Sequence, residues 1–159
     1  DQAPTDTEPL PGGEAADLAP MRQTVLDLGL GAATADHLLQ HYGTEAAAIC
    51  NLGRLERGLL ARLHPDHPAI EAEVVHHARR ELVTHIDDVL VRRIHLHYET
   101  PDHGAQAAPR VAALLGKELG WEGERTAREL AAWRPLSPPR APAAPPGGGG
   151  SPPPPATPA

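Results

Sequence analysis

The chain has 159 residues, 19 of them Pro and 15 Gly, and a formal net charge of -7 with neutral His. A single lysine, Lys117, and this acidic balance argue against a general nucleic-acid binder, which needs clustered cations to neutralise phosphate. The sole cysteine, Cys50, excludes a disulfide scaffold or a Cys-based zinc site within one chain, and no apolar run approaches the roughly 20 residues of a membrane span.

Residues 1–17 carry Pro4, Pro9, Pro11, Gly12 and Gly13 and read as a flexible linker. Asp1 opens a polar segment rather than a signal peptide, and the absence of an initiator Met suggests a fragment or a processed chain. The predicted helical domain covers 18–134. Leu26, Leu28 and Leu30 precede Gly31, after which Ala35, Leu38, Leu39 and Tyr42 recur at helical spacing and Gly43 supplies a stop. Thr44 and Glu45 suit the start of the next helix, which should reach about Leu52, and a short helix near 55–63 ends at Pro65 and Pro68.

Residues 70–98 hold the strongest periodicity: Val74, Ala78, Leu82, Ile86, Leu90 and Ile94 form one wide apolar stripe. In a straight helix Arg79 and Arg93 would fall on or beside it. The conflict is resolved either by a break or by ion pairing, and Thr84 with Asp87 has the spacing of a capping box where a break would fall. A loop over 99–104 leads to a helix over 108–119, with Pro109 in its first turn and Gly120 as its stop, and a last helix runs from Glu124 to Trp133. No segment shows the alternating, branched pattern of a strand. The expected fold is all-α, a compact orthogonal bundle of about five to seven helices. Beyond it, 11 of the 25 residues from Pro135 to Ala159 are Pro, so 135–159 reads as a disordered tail.

Several chemistries are suggested and then weakened by composition. His37 with His41, His64 with His67 and His95 with His97 are close in sequence, but each pair offers too few ligands for a metal site, and surface histidines are the expectation. Leu28-Gly29-Leu30-Gly31 has the rhythm of a helix-hairpin-helix. Over 17–53, however, Arg22 stands alone against Asp17, Asp27, Asp36 and Glu45, a local charge of -3 by subtraction that opposes phosphate binding. Cys50 lies among apolar neighbours and reads as a packing thiol. No catalytic, cofactor-binding or metal-binding residue is predicted. The expected structural ion-pair residues are Glu73, Arg79, Glu81, Asp88, Arg92 and Arg93, with the arginines nearest the apolar stripe meeting carboxylates as partly buried pairs.

The same residues carry a resemblance. Glu73-Val74, Arg79-x-Glu81, Asp88-Val89-Leu90-x-Arg92-Arg93, Ala107-Ala108-Pro109-Arg110-Val111-Ala112, Leu119-Gly120-Trp121 and Glu129, with Tyr42-Gly43 and Leu10-Pro11-Gly12-Gly13 before them, resemble the C-terminal helical domain of FAD-dependent glycerol-3-phosphate dehydrogenases and alpha-glycerophosphate oxidases. The resemblance covers about 7–133. It departs from the family, which usually has Thr-Arg after its Arg-Arg pair and a Thr capping the second half-helix, where Ile94, His95 and His85 stand here. It implies that FAD and the groups oxidising glycerol 3-phosphate to dihydroxyacetone phosphate lie in an N-terminal domain, leaving no cofactor in this chain. The implied partner is a flavin-binding catalytic domain or subunit, with homo-oligomerisation an open alternative. The implied location is cytoplasmic, or peripheral to a membrane through the flavoenzyme. An independent interaction module is the rival reading.

Overall fold

A computed structural model describes Gly13 and residues 17–134, so nearly all of the predicted linker and the Pro-rich tail lie outside the described residues. α1 (Ala19–Asp27) starts with Pro20 in its first turn, where a missing N–H costs nothing, and Gly29, at φ +86°, turns the chain back. α2 (Ala32–Tyr42) ends on Gly43, also at positive φ. A 3-10 turn over Gly43–Glu45 leads into α3 (Ala46–Leu55), so this helix starts and ends later than its sequence suggests.

The short helix expected near 55–63 is a 3-10 turn, Arg57–Leu60, followed by a hairpin of β1 (Arg62–His64) and β2 (His67–Ile70). The strands pair antiparallel, Arg62 with Ile70 and His64 with His67, with an irregular register between. This corrects the reading that the chain has no strand. Strands this short cannot display an alternating pattern, and Pro65-Asp66 marks a turn without revealing what it joins.

The long rod expected over 70–98 is also broken. α4 (Glu71–Arg80) stops at Glu81, a π-helical turn spans Asp88–Arg93, and α5 is the short Leu96–Glu99. Asp88 fixes the restart: its Oδ2 accepts the backbone N–H of Thr84 and of His85, each at 3.0 Å. The predicted box placed this role on Asp87, which is exposed. The break frees Arg79 and Arg93 from the core and leaves Leu82 96% exposed.

α6 (Ala108–Leu119) begins with Pro109 in its first turn and ends on Gly120 in the left-handed region; α7 (Gly123–Ala132) follows and packs on α6. α4 lies at the centre, against α3 on one side and α6 on the other. Leu38, Ile49, Val74, Leu90, Val111 and Leu115 are fully buried where these helices meet. The described residues form a mostly helical bundle of seven α-helices with one two-stranded ribbon.

Candidate functional site

The polar centre of the domain is Glu73, whose side chain is 0% exposed. It sits at the third position of α4, and its Oε1 reaches back to accept the N–H of Ile70 at 2.7 Å, satisfying a donor the helix start would otherwise orphan. Its Oε2 takes two more hydrogen bonds across the α2–α4 contact, at 2.8 Å from His37 Nε2 and 2.8 Å from the Tyr42 hydroxyl. A buried carboxylate is tolerated when its lone pairs are filled in this way.

From Tyr42 the contacts continue. Its hydroxyl lies 2.9 Å from His77 Nε2, His77 Nδ1 lies 3.0 Å from Glu81 Oε1, and Glu81 Oε2 lies 2.7 Å from Arg93 Nε on the π turn. Burial pushes the Tyr42 phenol far above its ordinary pKa, with Glu73 adding to the shift, so Tyr42 is a neutral hydrogen-bond donor. Burial drives His77 toward its neutral form, while Glu81 and Glu73 oppose that drive.

A second cluster surrounds the hairpin. His64 Nδ1 accepts the N–H of Asp66 and His67 Nδ1 accepts the N–H of Ala69, both at 3.1 Å. An accepting Nδ1 carries no hydrogen, so in each neutral ring the hydrogen is on Nε2. The His67 Nε2–H donates to Glu99 at 2.9 Å, and His64 Nε2 faces Asp102 Oδ1 at 3.2 Å without completing a hydrogen bond. Burial lowers the pKa of His67 against the pull of Glu99, and lowers that of His76 with help from His77. His95 and His103 adopt positive φ before and after α5.

The expectation of surface histidines is corrected for His37, His64, His67 and His97, which are buried together with His76 and His77, and holds for His41, which is exposed. A His placed beside an acid on a facing element becomes an internal hydrogen-bonding group. The signal in the sequence was weak, since the partners of Glu73, His37 and Tyr42, are more than thirty positions away.

The six predicted ion-pair residues divide among separate contacts. Arg79 binds Glu118 through two hydrogen bonds of 2.7 and 2.9 Å, and this pairing holds the Glu118 carboxylate below its usual range. Arg92 pairs with Asp88. Burial works against the charged form of Asp88, but the Thr84 and His85 N–H groups and Arg92 outweigh it and lower its pKa. Arg93 meets Glu81, and Glu73 belongs to the buried network rather than to any arginine. The guanidinium groups remain exposed, with Arg79 54%, Arg92 67% and Arg93 44% accessible. Not predicted was Arg110, which reaches Glu71 at 2.7 and 2.6 Å and ties α6 to α4.

No group of three or more His, Cys, Asp or Glu residues among the described residues is arranged to hold a metal ion. An open groove of about 280 Å³ between α3 and α4 is lined by Ala48, Asn51, Leu52, His76, Arg79 and Arg80. It contains no carboxylate, and Arg79 is committed to Glu118. Burial raises the Cys50 thiol above its ordinary pKa, so it is a poor nucleophile.

The polar side chains thus mainly join one element of the bundle to another, as in a structural helical domain. The chain belongs to the family described as the C-terminal domain of alpha-glycerophosphate oxidase, which it matches over residues 3–126. It is 36% identical over 98 residues to a mitochondrial glycerol-3-phosphate dehydrogenase of Arabidopsis thaliana, covering 62% of this chain and 15% of that protein. To a probable mitochondrial glycerol-3-phosphate dehydrogenase of Dictyostelium discoideum it is 30% identical over 126 residues, 79% of this chain and 20% of the other. To the mitochondrial enzyme of Bos taurus it is 31% identical over 114 residues, 69% and 16%. The chain therefore spans a fifth or less of the length of these curated relatives. No solved structure matches it.

Proposed function

We propose that this chain serves as the C-terminal accessory domain of an FAD-dependent glycerol-3-phosphate dehydrogenase, packing against a flavin-binding catalytic domain or subunit and inactive alone. In this reading, oxidation of glycerol 3-phosphate to dihydroxyacetone phosphate, and the FAD it requires, belong to that companion. The observation that carries the reading is the family match over residues 3–126. The geometry is consistent with it, because Glu71, Glu73, Glu81, Arg79 and Arg110 are engaged in holding separate elements together. No helix among the described residues is long and apolar enough to cross a membrane.

The test mixes the purified 159-residue chain with a flavin domain of a glycerol-3-phosphate dehydrogenase from the same source. Co-elution, with dye-linked oxidation of glycerol 3-phosphate seen only when the flavin domain is present, is expected. Flavin absorbance and glycerol 3-phosphate oxidation by this chain alone would overturn the reading.

A further inference from the structure

The string Glu73–Tyr42–His77–Glu81 has more contacts than its ordinary hydrogens can fill. Three links join these four side chains, at 2.8, 2.9 and 3.0 Å, and each needs one hydrogen between its heavy atoms. With both carboxylates ionised, the neutral phenol supplies one hydrogen and a neutral imidazole supplies one. Three links therefore share two hydrogens. If Tyr42 donates to Glu73, His77 must donate through Nε2 to Tyr42, and its bare Nδ1 then faces the Glu81 carboxylate. If His77 instead donates through Nδ1 to Glu81, it takes the Tyr42 hydrogen at Nε2, and two bare oxygens face each other between Tyr42 and Glu73. The remaining lone pairs offer no relief. Glu73 is already accepting from Ile70 N–H and His37 Nε2, and Glu81 Oε2 lies 2.7 Å from Arg93 Nε without completing a hydrogen bond.

We infer that the string is a binding site for one proton beyond those of Tyr42 and a neutral His77, shared along its three short links in the folded domain. The proton belongs to the string as a unit, because groups coupled this closely titrate together. Its charge is balanced locally: with it bound, the two carboxylates face Arg93 and one added positive charge. Other charged and titratable groups pack around the string. On α2, His37 is occupied by Glu73 and His41 stacks on His37 with ring centres 4.5 Å apart. On α4, His76 lies edge-on to Tyr42 and to His77, with Glu45 of the preceding 3-10 turn and Arg80 acting on it. The α6 charges nearest α4 are Arg110 and Glu118, engaged with Glu71 and Arg79.

Two substitutions remove the need for the proton while keeping the shape. In Glu81→Gln the side-chain amide donates to His77 Nδ1 and its carbonyl still faces Arg93, so all three links are filled with neutral His77. In Tyr42→Phe two of the links vanish. The test measures the unfolding equilibrium constant of the 159-residue chain and of both variants by denaturant titration across pH 7–8. A folded state that holds an extra proton loses stability as pH rises, because the unfolded chain does not keep it. The wild-type unfolding constant is expected to rise with pH more steeply than in either variant, by close to a factor of ten per pH unit; contributions from the remaining histidines cancel in the comparison. A wild-type slope equal to that of either folded variant would overturn the inference. This outcome is independent of whether the chain binds a flavin domain.

Discussion

Arg93 reaches back across the break after α4 to place its Nε 2.7 Å from Glu81 Oε2, so the residue that ends one helix is held by the residue that ends the next helical turn. Arg80, one position before Glu81, has no ion pair among the described residues. Arg93→Ala should therefore lower the melting temperature by a few degrees and Arg80→Ala by much less. The expected cost is about 1 kcal/mol, because the guanidinium is partly solvated and such pairs are weak. Equal melting temperatures in calorimetry would contradict this.

Glu73 and Glu71 lie two residues apart on α4, both buried but with different partners. Glu73→Ala leaves His37, Tyr42 and the Ile70 N–H without their shared acceptor, and should cost about 3–5 kcal/mol, a large fraction of what a domain of this size has. Glu71→Ala loses one pair to the half-exposed Arg110 and should cost about 1 kcal/mol. Urea denaturation of the two variants checks the ordering.

Gly120 and Gly123 predict effects of opposite sign. Gly120 closes α6 in the left-handed region at φ +66°, so Gly120→Ala should destabilise by about 1 kcal/mol. Gly123 opens α7, its φ is not positive, and nothing lies within 4 Å of an added Cβ. Gly123→Ala should stabilise by about 0.5 kcal/mol by restricting the unfolded chain. Denaturation midpoints that moved the same way would reject the argument.

Burial holds His67 and His76 below their ordinary pKa, so near and below pH 6.5 the unfolded chain binds more protons at these sites than the folded one. Their contribution to stability is complete above about pH 6.5 and is lost as pH falls from there through their folded-state values. The midpoint of urea unfolding should drop between pH 7 and pH 5, and His76→Asn should flatten that drop. An unchanged pH profile in the variant would count against it.

Local signals in the sequence located much of the fold. Gly43 and Gly120 mark helix ends because the backbone itself demands φ values they tolerate, and Pro109 sits in a first turn for an equally local reason. The clash between the apolar stripe and Arg79 and Arg93 pointed to a break or pairing, and the structure has both. The hairpin could not be read because its strands are too short to show a period. The buried network was missed for a different reason: whether a histidine is a surface group or an internal donor depends on the residue opposite. For His37 that residue, Glu73, is 36 positions away in sequence.

Those separations also set the order of events during synthesis. The groups that anchor α4 are split between the two ends of the domain: Tyr42 precedes Glu73 by 31 positions, whereas Arg110 follows Glu71 and Glu118 follows Arg79 by 39. As the nascent polypeptide leaves the ribosome, α4 emerges well before its α6 partners and has only half of its fastenings available. Final assembly must wait until α6 is out, and a chain interrupted before Arg110 lacks both of the α6 ion pairs that fasten the central helix.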